Sequence, residues 1–242
     1  MLTIDLDFGK EAVQILDDGR RITAMICQEE YNDDSPRDWD NLGVMACWHS
    51  RYNLGDIQLN HHSDIKRDLA CEIDPTVASR LEYWEDLEGS YRSDAEHRIQ
   101  NIIDSALDSA LILPLYIYDH SGITMSTSPF SCPWDSGQVG FIYCTKEQIR
   151  NWLQVKRITK KVWDHAKRIL MGEVETYDQY LTGDVYGFSV TVETPDTCEH
   201  CQHTDYTPVF EDSCWGFYGD PRKSILPELN AELADHGIQL SL

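Results

Sequence analysis

Apolar residues alternate with polar ones, or run together for a few positions, in seven segments along the chain. A period of two and enrichment in β-branched and aromatic residues both favour β-strands. Turn residues separate the segments, and Asp17-Asp18-Gly19 predicts a hairpin between two of them. The predicted strands are Leu2–Phe8, Ala12–Leu16, Arg21–Cys27, Leu42–Trp48, Leu113–Tyr118, Val139–Cys144 and Val185–Thr194.

Between residues 63 and 111 the spacing of apolar residues changes to three and four, which predicts helices. Caps and first-turn prolines give their starting points. The predicted helices are one over Asp64–Ile73 capped by Ser63, a second from Asp74-Pro75 through Leu87, and a third opened by Ser93 or Asp94. Three more follow the central loop, over Lys146–Leu153, from Thr159 towards Leu181, and over Pro221–His236 with Gly237 as its C-terminal stop.

Strands that precede and follow a helical stretch are typical of the α+β class. We therefore predict a single α+β domain over residues 1–242, with a mostly antiparallel sheet packed by helices and an acidic helical insertion at 57–110. No apolar run approaches the roughly 20 residues of a membrane span, and the N-terminal sequence MLTIDLDFGKEA lacks the features of a signal peptide. These features predict a cytoplasmic protein whose eight cysteines are reduced unless they hold a metal.

The stretch between the strands Leu113–Tyr118 and Val139–Cys144 is rich in Gly, Pro, Ser and Asp and predicts an elaborated loop. Such loops often carry functional residues, although Asp and Ser in them also satisfy turn backbone. In an enzyme, a Cys or Ser nucleophile with a nearby His and Asp would supply the residue types of a dyad or triad. The candidates here are Asp119, His120, Cys132, Asp135 and Ser136.

A metal-dependent hydrolase with its site in the loop at 119–138 is a second enzymatic interpretation. His49 follows a predicted strand, and Asp178 and Asp184 lie near the end of a predicted helix and in the turn after it. With Asp119 and His120 they have the residue types of a metal or acid–base site. The chain contains no G-x-S-x-G, H-E-x-x-H, Walker A or dinucleotide glycine pattern, so no named hydrolase class is indicated.

The chain carries 42 Asp and Glu against 20 Lys and Arg, a formal net charge of −22. This charge repels nucleic acids and anionic membranes and attracts basic surfaces, so we expect no direct binding to the first two. The carboxylates of segments 28–40 and 82–108 are the predicted contact surface for a basic protein, although a solubilising surface has the same composition. They are Glu29, Glu30, Asp33, Asp34, Asp38, Asp40, Glu82, Glu85, Asp86, Glu88, Asp94, Glu96, Asp104 and Asp108.

Cys198 and Cys201 form a C-x-x-C pair, the most chemically specific short motif of the chain. Two thiolates at this spacing can bind one tetrahedral zinc ion, whereas redox chemistry lacks its thioredoxin-like context. His203 and Cys214 are the candidates for the remaining ligands. The sequence therefore predicts that the loop at 195–206 holds a structural zinc, and it indicates no other cofactor.

The sign of the charge reverses in the segment that follows the central loop, where eight basic side chains outweigh Glu147 and Asp164. A basic ridge of this kind either docks an acidic surface, including one on a second copy of the chain, or is the solvated face of an amphipathic helix. The second interpretation is the more ordinary one. The eight residues are Lys146, Arg150, Lys156, Arg157, Lys160, Lys161, Lys167 and Arg168.

Four phrases of the sequence resemble those of an uncharacterised family of small proteins carried by bacteriophages and mobile elements. They are DWDNLGVMACWHSRYNLGD (38–56), YDHSGITMSTSPFSCPWDSGQVGFIY (118–143), ETYDQYLTGDVYGF (175–188) and DSCWGFYG (212–219). The resemblance brings no catalytic residues. It implies a phage or plasmid setting, in which very acidic proteins resemble antirestriction and other counter-defence factors, including DNA mimics that occupy the DNA-binding groove of a host enzyme.

Two hypotheses follow. The first is a non-enzymatic inhibitor that competes with nucleic acid for a basic, nucleic-acid-binding defence enzyme of the host. The second is a hydrolase with its site in the central loop.

Overall fold

The computed structural model describes residues 2–30, 34–60, 64–86 and 92–242, with only the backbone of Arg92. Its contacts divide the chain into two compact units: unit 1 consists of residues 1–35 and 179–242, and unit 2 of residues 36–178. The strands are β1 Leu2–Asp5, β2 Ala12–Ile15, β3 Arg21–Gln28, β4 Val44–Cys47, β5 Ile57–Gln58, β6 Ala110–Asp119, β7 Ile123–Ser126, β8 Ser136–Thr145, β9 Val185–Thr197, β10 Thr204–Tyr218 and β11 Ile238–Ser241. The helices are α1 Ile65–Ile73, α2 Thr76–Glu85, α3 Arg92–Leu107, α4 Lys146–Trp152, α5 Lys160–Thr182, α6 Pro221–Ser224 and α7 Leu226–Leu233.

The α+β class and the mostly antiparallel pairing are confirmed, but the described strands form three sheets where the sequence predicted one. β1 and β11 pair in parallel, and β10, β9, β3 and β2 form an antiparallel sheet in that order. The third sheet has the order β5, β4, β8, β6, β7, and only its β4–β5 pair is parallel among the described strands. Alternation shows which face of a strand is buried but not which strand is its partner, so the number of sheets was not predictable.

Unit 1 is built on the two central strands of its antiparallel sheet. Ile22 and Ile26 of β3 lie opposite Val192 and Phe188 of β9, and all four side chains are buried. The β1–β11 pair and helices α6 and α7 add their apolar residues to the same cluster. One face of this sheet is therefore the core of unit 1.

Unit 2 has helices on both faces of its five-stranded sheet. Ile73 of α1 packs in one cluster with Tyr143 of β8, while Leu170 of α5 and Ile142 of β8 approach Gly43 from the other side. A Cβ at Gly43 would lie 2.5 Å from Leu170 Cδ2, so only glycine allows this approach. Helices α1–α3 fall inside the predicted insertion at 57–110, and the division of the chain into one domain with an insertion stays a prediction.

Capping signals located most helices. Thr145 and Gln148 form a reciprocal capping box at the start of α4, and Gly237 has a φ of 72° at the C-terminal stop. Asp64 caps α1 by accepting hydrogen bonds from two backbone N–H groups, and the predicted cap Ser63 lies outside the described residues. Among the helices of the described ranges, none offers the length of apolar surface that a bilayer span requires.

The predicted helix Pro221–His236 is wrong in its continuity. It is divided at Ile225 into α6 and α7, and a short 3-10 turn follows at Ala234–His236. The cause is Pro227, which has no N–H to donate to the carbonyl of Lys223 in a continuous helix.

Strand β10 is not among the strands predicted from the sequence. It is a 15-residue edge strand, and Trp215 is 46% exposed. The indole lies over Gly187 of β9, where a Cβ would be 2.0 Å from Trp215 Cε3. Most of the strand is exposed on both faces, so it has no alternating pattern by which it could be recognised.

A buried ion-pair network, formed by Arg37, Asp56 and Glu173, connects three parts of unit 2. The Arg37 side chain is 6% exposed and pairs with Asp56 at 2.7 Å and with Glu173 at 3.3 Å. Glu173 also accepts the N–H of Leu42 at 2.7 Å and that of Gly43 at 3.1 Å. Helix α5 is thereby attached to the segment that leads into β4.

The burial of Glu173 raises the pKa of its carboxyl above the ordinary value of 4.5. The N–H of Leu42 and the Arg37 guanidinium both act in the opposite direction, but burial is the larger effect. The network therefore fixes the geometry of these three segments, although the desolvation of its charged groups is energetically unfavourable.

Removal of the Glu173 carboxylate is expected to destabilise unit 2. Glu173→Ala leaves two backbone N–H groups without their acceptor and Arg37 with one carboxylate, and it should lower the free energy of unfolding by about 3 kcal/mol. Urea denaturation at pH 7 measures this. The matched control is Glu175→Ala on the exposed side of the same helix, which should change stability by less than about 0.5 kcal/mol. Equal effects of the two variants would contradict the role of the network.

The raised pKa of Glu173 predicts a dependence on pH. A carboxyl whose pKa is higher in the folded state binds more protons folded than unfolded, so its contribution to stability falls as pH rises from the ordinary value of 4.5 through the folded pKa. Wild type should therefore lose stability relative to Glu173→Gln across that window. Urea midpoints at closely spaced pH values test this, and a stability difference that stays constant or moves the other way would refute it.

Candidate functional site

The predicted central loop is a strand–turn–strand arrangement at one end of the unit 2 sheet. β6 pairs with both β7 and β8, and the N–H of Asp119 donates to the carbonyl of Asp135 at 2.8 Å. The N–H of His120 donates a hydrogen bond to the carbonyl of Gly122 at 3.1 Å, and the chain reverses its direction there. The register of β6 and β8 therefore brings Asp119, His120 and Asp135 to one place.

The side chains here that have the residue types of a nucleophilic site are Cys132, Asp135 and His120. The His120 Nδ1 atom is 3.4 Å from Asp135 Oδ2, and the Cys132 Sγ atom is 3.9 Å from the same oxygen. The order is thus thiol, carboxylate, imidazole, whereas a catalytic triad needs the imidazole between nucleophile and carboxylate. His120 and Asp135 are also 65% and 42% exposed, so water is not excluded from the group.

The turn after β4 contributes the other residues of this end of the sheet. Arg51 pairs with Asp119 at 2.5 Å. His49 Nδ1 accepts the N–H groups of Arg51 and Tyr52, both at 3.2 Å, and the His49 ring stacks on Tyr52 at 5.0 Å. His49 therefore shapes its own turn. We call Cys132, Asp135, His120, Asp119 and Arg51 the sheet-end cluster.

The other predicted catalytic residues do not join the cluster. The Ser136 hydroxyl donates to the carbonyl of Cys132. Asp178 accepts the N–H of Met125 at 2.6 Å, and Asp184 belongs to unit 1, where it accepts the Tyr186 hydroxyl at 2.5 Å. Across the described ranges there is no group of three or more His, Cys, Asp and Glu placed to hold a metal ion. The five-residue metal site of the hydrolase interpretation is therefore not assembled.

The predicted zinc loop is the tip of the β9–β10 hairpin. Cys198, Cys201 and His203 are all exposed there, but Cys214 is opposite Phe188, ten residues along β10 from Thr204. At ~3.3 Å per residue this places Cys214 roughly 30 Å from the tip. The prediction that Cys214 completes a zinc site is wrong, because the long strand separates the ligands that the sequence placed close together.

The predicted acidic contact residues divide between the two units. Glu29, Glu30 and Asp34 belong to unit 1 and the others to unit 2, while Asp33 and Glu88 lie outside the described residues. Glu29 is half-buried, and Glu85 pairs with Arg67. The remaining carboxylates are exposed: Glu30, Asp34, Asp38, Asp40, Glu82, Asp86, Asp94, Glu96, Asp104 and Asp108. One continuous acidic face over all of them stays a prediction.

The sequence analysis missed where the negative charge is concentrated. Unit 1 has 99 residues with 20 Asp and Glu against five Lys and Arg, a net charge of −15 out of −22. Its two segments, residues 1–35 and 179–242, are far apart along the chain, so the sequence does not show that their charges belong to one unit. Knowledge of the β3–β9 pairing was needed to add the segments together.

Comparison of the chain with protein-family models, with curated protein sequences and with solved structures finds no match in any of the three. The resemblance to a phage and mobile-element family, and the setting that it implies, therefore stay predictions.

The thiols are expected to differ strongly in reactivity. The backbone N–H groups of Cys201 and His200 lower the pKa of Cys198, whereas burial raises the pKa of Cys47 and of Cys144 to about 12. The thiolate is the nucleophile, so iodoacetamide at pH 7 should alkylate Cys198 well before Cys47 or Cys144 in the native protein. Peptide mass spectrometry over time measures this. Early labelling of either buried thiol would contradict it.

Proposed function

We propose that the protein is an acidic inhibitor that competes with nucleic acid for a basic, nucleic-acid-binding defence enzyme in the cytoplasm of a host cell. The observation that carries the proposal is the net charge of −15 on the 99 residues of unit 1. A compact body with this charge density attracts the basic grooves that bind nucleic acid, at long range and without base-specific contacts.

Little of this negative charge is neutralised within unit 1. Three of its five cations already pair with carboxylates of the same unit, in Lys10–Asp7, Arg20–Asp18 and Arg21–Glu193. Most of the other carboxylates are exposed. The excess is therefore available to an external cationic partner.

An exposed part of this charge lies on the acidic hairpin, which we define as residues 194–211 at the end of β9 and start of β10. It carries Asp196, Glu199, Asp205 and Glu211 and no Lys or Arg. Asp196 and Asp205 are directly opposite each other in the strand register, and like charges in this position destabilise a hairpin. Both carboxylates are exposed, and His203 lies 3.2 Å from Asp205, so a basic partner would meet the pair at the surface of the hairpin.

Attraction between a charged hairpin and a basic groove chiefly raises the association rate and is screened by salt. The same electrostatics disfavour direct binding of the chain to DNA or RNA. The proposed function therefore needs many carboxylates together rather than one catalytic side chain.

The test is inhibition of duplex DNA cleavage by a panel of purified restriction endonucleases. Wild type should inhibit at least one enzyme, and inhibition should weaken about tenfold or more between 50 and 300 mM salt. A variant with Asp196→Asn, Glu199→Gln, Asp205→Asn and Glu211→Gln should also lose about tenfold or more. Its matched control neutralises four exposed carboxylates of unit 2 that lie outside the predicted contact surface, at Glu72, Glu147, Asp164 and Glu175, and should inhibit nearly as wild type does.

Three outcomes of this experiment would count against the proposal. They are no inhibition of any enzyme, inhibition that salt does not weaken, and equal losses in the two variants. If the inhibition of DNA cleavage were lost on His120→Ala or Asp135→Asn alone, the result would instead support the hydrolase hypothesis, whose site would be the sheet-end cluster.

A further inference from the structure

A wide-open surface cavity of about 620 Å³ lies in unit 2 between α4, the start of α5 and the connection between these helices. Its walls are basic and include one indole ring. The lining residues that matter are Lys146, Arg150, Lys156, Arg157, Lys160 and Trp163. We call this the α4–α5 cavity.

The charge around this cavity is opposite to that of the whole protein. Residues 146–168 hold eight of the chain's 20 Lys and Arg but only two of its 42 Asp and Glu. Asp108 is the one acidic residue that lines the cavity, and its backbone carbonyl accepts a hydrogen bond from Lys146 Nζ at 3.1 Å. The cavity therefore has a strongly positive local potential.

Four of the lining cations have no carboxylate partner among the described residues. Six arginines elsewhere form ion pairs, among them Arg21 with Glu193 and Arg37 with Asp56. By contrast, in the part of the chain that the structure describes, no ion pair involves Arg150, Lys156, Arg157 or Lys160. In a chain with a net charge of −22, cations that stay unpaired and border one cavity indicate an external anion.

The backbone around the cavity is fixed before any ligand arrives. Ile149 is fully buried and anchors α4 below its capping box. Gln154 has a φ of 54° just after the helix ends, and the N–H of Val155 returns to the carbonyl of Arg150 at 3.0 Å. Such a helix stop sets the direction of the connection that carries Lys156 and Arg157. A ligand would therefore meet cations whose backbone positions are already set, and only their exposed side chains would have to be ordered on binding.

Trp163 adds a planar apolar surface beside these cations. A half-buried indole can stack on an aromatic ring, while Lys and Arg side chains bind phosphate oxygens by charge-assisted hydrogen bonds. The cavity volume lies within the range of roughly 300–1,000 Å³ typical of small-molecule sites. We propose that the α4–α5 cavity binds a nucleoside polyphosphate, with the phosphates on the lysines and arginines and the base on Trp163.

A compact ligand suits this site better than a polymer. The net charge of −22 repels a long polyanion along its whole length, and it repels a second copy of the chain in the same way. A ligand with three or four charges is small enough to interact mainly with the cations of the cavity. Nucleic acid and a second copy are therefore the competing occupants that the experiment has to distinguish.

The experiment is isothermal titration calorimetry of the full chain at 50 mM salt with ATP, inorganic triphosphate and adenosine as separate probes. ATP should bind with a stoichiometry of one, triphosphate more weakly, and adenosine without detectable heat. Lys156→Gln with Arg157→Gln should weaken ATP binding at least about tenfold. Trp163→Leu should weaken ATP about fivefold or more and leave triphosphate unchanged, because only the stacking surface is lost.

The matched control is Lys161→Gln with Lys167→Gln, which removes the same charge from α5 outside the cavity and should change ATP binding less than about twofold. Urea midpoints equal to that of wild type show that each variant is folded.

The proposal is overturned if neither ATP nor triphosphate binds at millimolar concentration, or if the control variant loses as much affinity as the cavity variant. It is also overturned if a duplex oligonucleotide binds more tightly than ATP. It is overturned as well if sedimentation shows a dimer that the cavity variant abolishes and the control variant does not, because the cavity would then bind a second copy of the chain.

Discussion

Unit 2 depends on the burial of one arginine between two carboxylates. Arg37 pairs with Asp56 and Glu173, donates to the carbonyl of Gly43 at 2.6 Å, and Asp56 in turn accepts the N–H of Met45 at 2.7 Å. A buried ion pair is not a strong source of stability, because desolvation offsets most of the attraction. Its effect is geometric: any other placement of α5 or of the start of β4 would leave a charge or a backbone N–H unpaired.

Both candidate sites of unit 2 follow from that geometry. The sheet-end cluster depends on the register among β4, β6 and β8, and the α4–α5 cavity depends on the start of α5, whose later turns carry Glu173. The two sites differ in how far their chemistry is organised. At the sheet end, Asp135 stands between Cys132 and His120, so the imidazole is not placed to take the thiol proton. At the cavity, the proposal of a ligand rests on four cations that form no ion pair within the described part of the chain.

Charge is segregated in this protein rather than spread evenly. Unit 1 holds most of the negative charge and shows little internal pairing, while the helix α4–α5 region concentrates cations that carboxylates elsewhere in the chain do not neutralise. The two proposals therefore assign to each region a partner of opposite sign: a basic groove for the acidic hairpin and a compact polyanion for the cavity. Since the two proposals rest on different residues, each stands without the other.

Elements whose signals are local could be predicted from the amino-acid sequence. Thr145 and Gln148 set the start of α4, Gly237 ended the C-terminal helical segment, and the alternation in residues 21–27 gave β3, because caps, turns and periodicity depend on neighbours a few positions away. Features that depend on pairing between distant segments became visible only in the folded chain. The division into three sheets, the exposed strand β10, the distance of Cys214 from Cys198, and the joining of two acidic segments into unit 1 all result from strand partners. Strand partnership is a property of two segments together, which neither segment encodes alone.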